Sequence, residues 1–177
     1  MLSILAERRQ GTLPRLVAAP IPPWAIVAGK AIGSFVLGVT SLTIIIVAST
    51  ALLGASWGNP LGVAALVVAA VMSAMGITAM ITTLARTEEQ AGGWNAIVAV
   101  TLGILGGSFL DLSQAPPLLS RLSLLTPHAW FLDGLNALAV PGASAAGVAV
   151  PVAALLAFAV VTGGIGLARS GSLVSAR

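Results

Sequence analysis

Four long apolar runs dominate this sequence and restrict the kind of fold it can adopt. They cover residues 31–54, 61–85, 91–110 and 148–168, and the second run contains no charged side chain. A helix of about 20 apolar residues crosses the ~30 Å hydrocarbon core of a bilayer. Inside lipid the backbone must satisfy its own hydrogen bonds, which a helix does without a partner. The sequence therefore predicts an all-α, polytopic membrane protein with four transmembrane helices in a lipid bilayer.

The composition agrees with a chain that is surrounded by lipid. Hydrophobic residues make up 58% of it and charged residues only 7%, whereas about a quarter of a soluble domain is charged. The net charge of +3 would suggest nucleic-acid binding in a soluble protein. Here the basic residues lie in short clusters between the apolar runs, as in the cytoplasmic loops of membrane proteins. No nucleic-acid partner is therefore expected.

The basic residues also predict an orientation. If the N-terminus is inside and four helices cross, the inner segments carry seven basic residues and the outer segments carry only Arg121. The inner seven are Arg8, Arg9, Arg15, Lys30, Arg86, Arg169 and Arg177. The inverted arrangement contradicts the positive-inside rule. We expect a multi-pass protein of the cell membrane with both termini in the cytoplasm. No cleavable signal is expected, because the apolar start of residues 1–6 is short and charge follows it.

Residues 1–30 are predicted to form a cytoplasmic segment, and residues 31–177 the transmembrane domain. Gly11 suits the end of a helix or a tight turn, and Thr12 can cap a new short helix. Pro20 and the prolines after it prevent that helix from continuing. Leu13 and Leu16 share one of its faces, so the short helix needs a surface to pack on.

Two further polar segments are expected to lie outside the lipid. Arg86, Glu88 and Glu89 form a short cytoplasmic loop, because each charge would cost ~2.5–3.5 kcal/mol at the centre of a span. Residues 116–140 contain two short runs that are apolar on one side. We interpret these runs as interfacial or re-entrant helices at the outer face that do not cross the membrane.

Hydroxyl and amide side chains within the spans have two interpretations. The favoured one is contact between helices, since small and hydroxylated residues let helices approach and hydrogen-bond. The alternative is a weakly polar path for a transported molecule. No span holds an ionised group away from its ends, which argues against ion-coupled transport.

No phosphate loop, metal site or cofactor site is predicted. Gly29-Lys30 resembles the end of a phosphate loop, but Trp24 replaces its first glycine and Ala31 its Ser or Thr. The chain has one histidine and no cysteine, which is too few ligands for zinc and excludes disulfides.

A hydrolase triad is the remaining catalytic alternative. His128 could be combined with Asp111 or Asp133 and a nearby serine. No nucleophile-elbow pattern surrounds any serine, so a turn at Pro127-His128 is the plainer interpretation. We therefore expect no catalytic residue in this chain.

Several segments together resemble ABC transporter permeases of the type-2, exporter family. Residues 7–16 read E-R-R-Q-G-T-L-P-R-L, with Pro20 and then Gly29-Lys30 following. They are similar to the family segment E-x-x-x-G-T-L-x-x-L … P … G-K. The loop at residues 88–91, the glycine-rich run 105–109 and the L-S-x-L-T-P-x-x-W … D-G-L pattern at residues 122–135 follow in the family's order. The resemblance covers nearly the whole chain.

The resemblance implies a permease subunit of an ATP-driven exporter. Its partners would be a separate ABC ATPase subunit, which hydrolyses ATP, and a second permease copy in a homo- or heterodimer. Substrates in the family include drugs, polyketides, lipids and polysaccharides. The implied ATPase-coupling interface comprises Glu7, Arg8, Arg9, Gly11, Thr12, Leu13, Arg15, Leu16 and Pro20. The implied extracellular cap of the exit path comprises Pro127, His128, Trp130 and Asp133.

The chain departs from the family pattern in the number of its spans. Family members have six, whereas four are predicted here, and the first two are expected to be missing ahead of Met1. A truncated half-permease or a membrane scaffold that does not transport is therefore the alternative function. The substrate is not set by any motif in the sequence.

Overall fold

The computed structural model describes residues 23–109 and 116–175. In these ranges the chain forms six α-helices and one 3₁₀ turn, Ala145–Val148, and no strand. The helices are α1 (Pro23–Leu53), α2 (Pro60–Leu84), α3 (Glu88–Leu105), α4 (Pro117–Ser123), α5 (Pro127–Ala139) and α6 (Ala149–Ser175). The segment 7–20, which was predicted to form the coupling interface, lies outside the described residues.

Three stretches of helix are long and apolar enough to cross a membrane. They are Ala28–Leu53, Pro60–Leu84 and Ala145–Arg169, and they coincide with the first, second and fourth predicted spans. The prediction of an all-helical, multi-pass membrane chain is thereby confirmed for the part of the chain that the structure describes.

Helix α3 covers only part of the predicted third span. It has 18 residues, or about 27 Å at 1.5 Å per residue, and it begins with Glu88 and Glu89. It ends at Leu105 instead of continuing to residue 110. Gly106 leaves the helix, and Gly107 follows with a φ of 85°, which an L side chain rarely adopts. The third predicted span, and with it the total of four spans, therefore stays a prediction.

Side-chain caps fix where α2 and α3 begin. The Oδ1 atom of Asn59 accepts hydrogen bonds from the backbone N–H groups of Leu61 (3.0 Å) and Gly62 (3.2 Å). The Thr87 hydroxyl accepts one from the N–H of Gln90 at 3.1 Å, and the Gln90 side chain accepts one from the N–H of Arg86 at 2.8 Å. These bonds satisfy N–H groups that have no partner inside the helix.

Helix α2 is the centre of the fold and makes its largest contact with α6. The core combines residues of α2, α5, the 3₁₀ turn and α6, namely Leu66, Ala69, Leu135, Leu138, Val148 and Leu155. Further along the pair, the two backbones meet at Gly76 and Gly163, where a Cβ on Gly163 would lie 3.7 Å from the Gly76 Cα. Small residues permit this approach, which is the usual way that helices pack in lipid.

Helix α1 lies at the side of this centre. It contacts α2, and a Cβ on Gly38 would lie 2.8 Å from a methyl carbon of Val71. Most of its large side chains are exposed, among them Leu37 and Ile44. In water this surface would be unfavourable, whereas lipid is as apolar as the side chains themselves. The Trp57 indole N–H donates to the Ser49 hydroxyl at 3.0 Å and holds the loop between α1 and α2.

Helix α5 runs antiparallel to α2. A Cβ on Gly62 would lie 2.7 Å from a Leu138 methyl group, and a Cβ on Gly134 would lie 2.5 Å from a Leu66 methyl group. The contacts thus approach the N-terminus of α5 as they approach the C-terminus of α2. His128 precedes Leu138 by ten residues, or about 15 Å of helix. The N-terminus of α5 therefore points back toward the middle of α2.

Candidate transport cavity

A cavity of about 1250 Å³ lies between α1, α2, α3, α5 and α6. Ligand pockets in proteins usually measure ~300–1,000 Å³, so this one can hold a molecule of drug size or larger. Lys30 lies toward one end, near the start of α1, and Ser108 and His128 lie at the junction of α3 and α5. The polar residues on the described lining are Lys30, Ser34, Ser41, Thr78, Asn95, Ser108 and His128.

The rest of the described lining is apolar and carries no carboxylate. Val71 and Met75 of α2 and Leu155 of α6 are examples. Asn95 of α3 uses its amide N–H to bond the carbonyl of Ala91, one turn earlier, at 2.8 Å. Such a lining favours a largely apolar molecule with few polar groups.

The junction of α3 and α5 is built on Gly106. A Cβ at this position would lie 2.5 Å from the His128 Cβ and 2.6 Å from the Thr126 hydroxyl, so a larger residue would push α5 away. The buried Thr126 hydroxyl accepts from the N–H of Ala129 at 3.3 Å and donates to the carbonyl of Ser123 at 2.8 Å. Helix α5 therefore begins at a fixed place against the end of α3.

His128 is half-buried at this junction, beside the cavity. Its Nδ1 atom is buried and has no hydrogen-bond partner among the described residues. A hydrolase triad needs a carboxylate on this nitrogen, yet Asp133 is exposed one and a half turns further along α5. The described residues thus give the triad no support. Asp111, the other carboxylate considered, lies outside the described residues.

The structure gathers three of the four predicted cap residues at the start of α5. Pro127 occupies the first turn and is buried, next to His128. The Trp130 indole N–H donates to the carbonyl of Leu124 at 2.8 Å, which ties the first turn of α5 to the end of α4. Asp133 does not join this group. These contacts place the residues, while their role as a cap stays a prediction.

The predicted loop residues lie between α2 and α3. Arg86 and Glu89 are exposed and Glu88 is partly exposed. Both carboxylates belong to the first turn of α3, where negative charge is favourable because of the helix dipole. The residues proposed for the ATPase-coupling interface, from Glu7 to Pro20, are outside the described residues, so no contact can be assigned to them.

Sequence reasoning favoured another role for the polar cavity residues. Ser34, Ser41, Thr78 and Asn95 belong to a set interpreted mainly as contacts between helices, with a weakly polar path as the alternative, and these four line the cavity. The spanning helices are apolar on all sides, so their periodicity does not show which side faces a cavity. The glycine-rich run ending α3 was the one available signal for Gly106 and Ser108.

Known proteins are similar to most of the chain. The family model described as "ABC-2 type transporter" matches residues 1–140. The chain is similar to the linearmycin resistance permease protein LnrN of Bacillus subtilis (strain 168), with 28% identity over 165 residues that cover 93% of this chain and 43% of that protein. It is also similar to the probable multidrug ABC transporter permease YbhR of Escherichia coli, in strain K12 and in O157:H7, with 25% identity over 133 residues that cover 75% of this chain and 36% of that protein.

The chain thus spans less than half the length of these relatives. No solved structure matches it. The family model covers more than three quarters of the residues, including α1 to α5. The chain belongs to the ABC-2 type transporter family.

Proposed function

We propose that this chain is a membrane permease subunit of an ATP-driven exporter, and that the cavity is part of its substrate path. The cavity itself carries the proposal, because it is an apolar chamber between apolar helices in a chain of the ABC-2 family. The relatives' printed names describe linearmycin resistance and probable multidrug transport, which makes export of a lipophilic molecule the matching activity.

The lining supports an external source of energy. Transporters coupled to protons or ions use carboxylates or histidine chains inside the membrane. The described lining holds no carboxylate, and Lys30 and His128 are its two basic side chains. We therefore propose that a separate ABC ATPase subunit supplies the energy and that two permease chains pair around the path.

The position of α5 supports α3 as the remaining transmembrane span, which would bring the total to four. Helix α3 starts four residues after α2 ends, and its other end meets His128 at Gly106. Leu138, at the far end of α5, contacts Gly62 in the first turn of α2. Helices α3 and α5 together thus return the chain along the full length of α2. In this arrangement α5 is re-entrant and enters the bilayer from the outer face.

The coupling surface is proposed to be residues 7–20, on the cytoplasmic side. The test is co-purification of this chain with ABC-type ATPase chains of its source organism, expressed together with it. We expect Glu7→Lys and Arg8→Glu to weaken the complex. Arg121→Glu is the matched control, because the proposed orientation puts Arg121 on the opposite face.

Transport is tested in the same system. Lipid vesicles that hold the chain and its ATPase should export a lipophilic fluorescent dye only when ATP is supplied. A complex that survives both charge reversals would contradict the coupling surface. A complex without ATP-dependent export would favour the scaffold or half-permease alternative.

A further inference from the structure

The strongest unassigned feature of the cavity is the polar group at the α3–α5 junction. Ser108 and His128 are both on the lining, and both point toward Gly103 of α3. A Cβ on Gly103 would lie 3.9 Å from the His128 Nε2 atom and 4.0 Å from the Ser108 Oγ atom. The two polar atoms therefore converge near Gly103, where the nearest atom to such a Cβ is a Phe109 ring carbon at 3.4 Å.

The structure holds the imidazole in place before any ligand arrives. Its Cβ packs against the Gly106 backbone. The preceding residue is proline, and the Thr126 cap fixes the start of the helix. A side chain positioned in this way does not lose much conformational freedom when it forms a hydrogen bond, which favours binding.

The chemistry of the group favours an uncharged ligand atom. An imidazolium needs a hydrogen-bond acceptor on each nitrogen, but the buried Nδ1 has none. The absence of an acceptor at Nδ1 favours a neutral ring, which offers Nε2 as one donor or acceptor. The Ser108 hydroxyl can also donate or accept. No carboxylate is on the described lining to neutralise an organic cation.

From this geometry we propose that His128 and Ser108 form a hydrogen-bonding subsite for an uncharged polar group, such as a hydroxyl or amide, on an otherwise apolar substrate. The inference rests on the proposed function, because it takes the cavity as the substrate path. It adds a substrate class, the neutral amphiphile with a hydroxyl or amide group, and it assigns two residues that contact that group.

Binding can be measured without ATP on the purified chain in lipid nanodiscs. The probes are three fluorescent C12 chains that end in a primary amide, a trimethylammonium group or a methyl group. We expect the amide probe to bind most tightly of the three. His128→Leu and Ser108→Ala should each weaken it about 3- to 10-fold, the loss of one hydrogen bond, and leave the methyl probe unchanged. His128→Gln, which keeps a neutral polar group, should retain most of the binding.

Glycine substitutions provide a test that does not alter the polar side chains. Gly103→Ala puts a methyl group into the space beside Nε2 at ordinary contact distances, the nearest atom being a Phe109 ring carbon at 3.4 Å. The helix therefore tolerates it, while the amide probe should bind less tightly. Gly93→Ala is the control on the same helix, since a Cβ there meets nothing within 4 Å.

The outcomes separate this inference from the proposed function. Equal weakening of all three probes by His128→Leu, or tighter binding of the ammonium probe than of the amide probe, would overturn the subsite. Selective amide binding in a chain that shows no ATP-dependent export would leave the subsite standing and remove the exporter. Export that is unaffected by His128→Leu and Gly103→Ala would leave the exporter standing and remove the subsite.

Discussion

The close contact between α2 and α6 makes Gly76 a position where a larger residue should destabilise the fold. In Gly76→Ala the new Cβ would lie 2.5 Å from the Thr162 hydroxyl, 2.8 Å from the Ala159 carbonyl oxygen and 3.1 Å from the Gly163 nitrogen. Two of these three atoms belong to the backbone of α6. They cannot rotate away as a side chain can, so the helices must separate.

The size of the effect follows from two opposing terms. Overpacking a close contact costs about 1–3 kcal/mol, and rigid backbone atoms place this case in the upper half of that range. Replacing glycine by alanine inside a helix contributes about 1 kcal/mol in the opposite direction. We therefore expect a net loss of about 1–2 kcal/mol in the free energy of unfolding.

The control is Gly164→Ala on α6, because a Cβ there meets nothing within 4 Å. It should be neutral, or more stable by up to about 1 kcal/mol. The assay is reversible unfolding of the purified chain in mixed micelles titrated with sodium dodecyl sulfate, followed by tryptophan fluorescence. The reasoning is refuted if Gly76→Ala is as stable as Gly164→Ala.

A double variant distinguishes the effect of the Thr162 side chain from that of the α6 backbone. Adding Thr162→Ala to Gly76→Ala removes the nearest atom but leaves the Ala159 carbonyl in place. It should therefore recover only part of the loss. Full recovery would show that the hydroxyl, and not the backbone, limits the approach of the two helices.

Two further predictions concern the loop between α1 and α2 and the orientation of the chain. Gly58→Ala should destabilise the protein more than Gly54→Ala in the same assay. Both glycines have a positive φ, 70° and 66°, which costs an L residue about 1–2 kcal/mol. Only at Gly58 would the new Cβ also overlap the Leu138 carbonyl. Equal losses would show that the Leu138 contact is unimportant. Because the chain has no native cysteine, single variants Arg86→Cys and Arg121→Cys can be labelled in intact cells with an impermeant thiol reagent. Only Arg121→Cys should react, and labelling of Arg86→Cys alone would invert the proposed topology.

The boundaries that follow from local chemistry were predictable from the sequence. The second span was placed at residues 61–85 and the helix is Pro60–Leu84, because Asn59-Pro60 starts a helix and Arg86 must reach water. The first span was placed after Lys30, whereas α1 begins at Pro23. A charged residue marks where lipid ends and not where a helix ends. Hydropathy alone therefore missed the first two turns of α1, which precede the predicted span.

Features that depend on packing between distant segments were not predictable. The sequence left open whether residues 116–140 lie on the membrane or dip into it. The direction of α5 became visible only through the paired contacts of Leu138 with Gly62 and of Gly134 with Leu66. In the same way, nothing in the neighbouring sequence distinguishes Gly103, which lies close to His128 and Ser108, from Gly93, where a Cβ would meet nothing within 4 Å.

The peripheral position of α1 has a consequence for how the proposed path would select a substrate. Helices α1 and α3 both line the cavity but make no extended contact in the part of the chain described. Under the proposed function, a molecule dissolved among the lipid tails would enter sideways between them. Each methylene group of such a molecule favours the bilayer by about 0.8 kcal/mol. Partitioning therefore concentrates long-chain molecules at the entrance before the protein binds them. The cavity therefore does not need to recognise the hydrocarbon part of such a molecule. Its few polar groups can instead distinguish one lipophilic molecule from another.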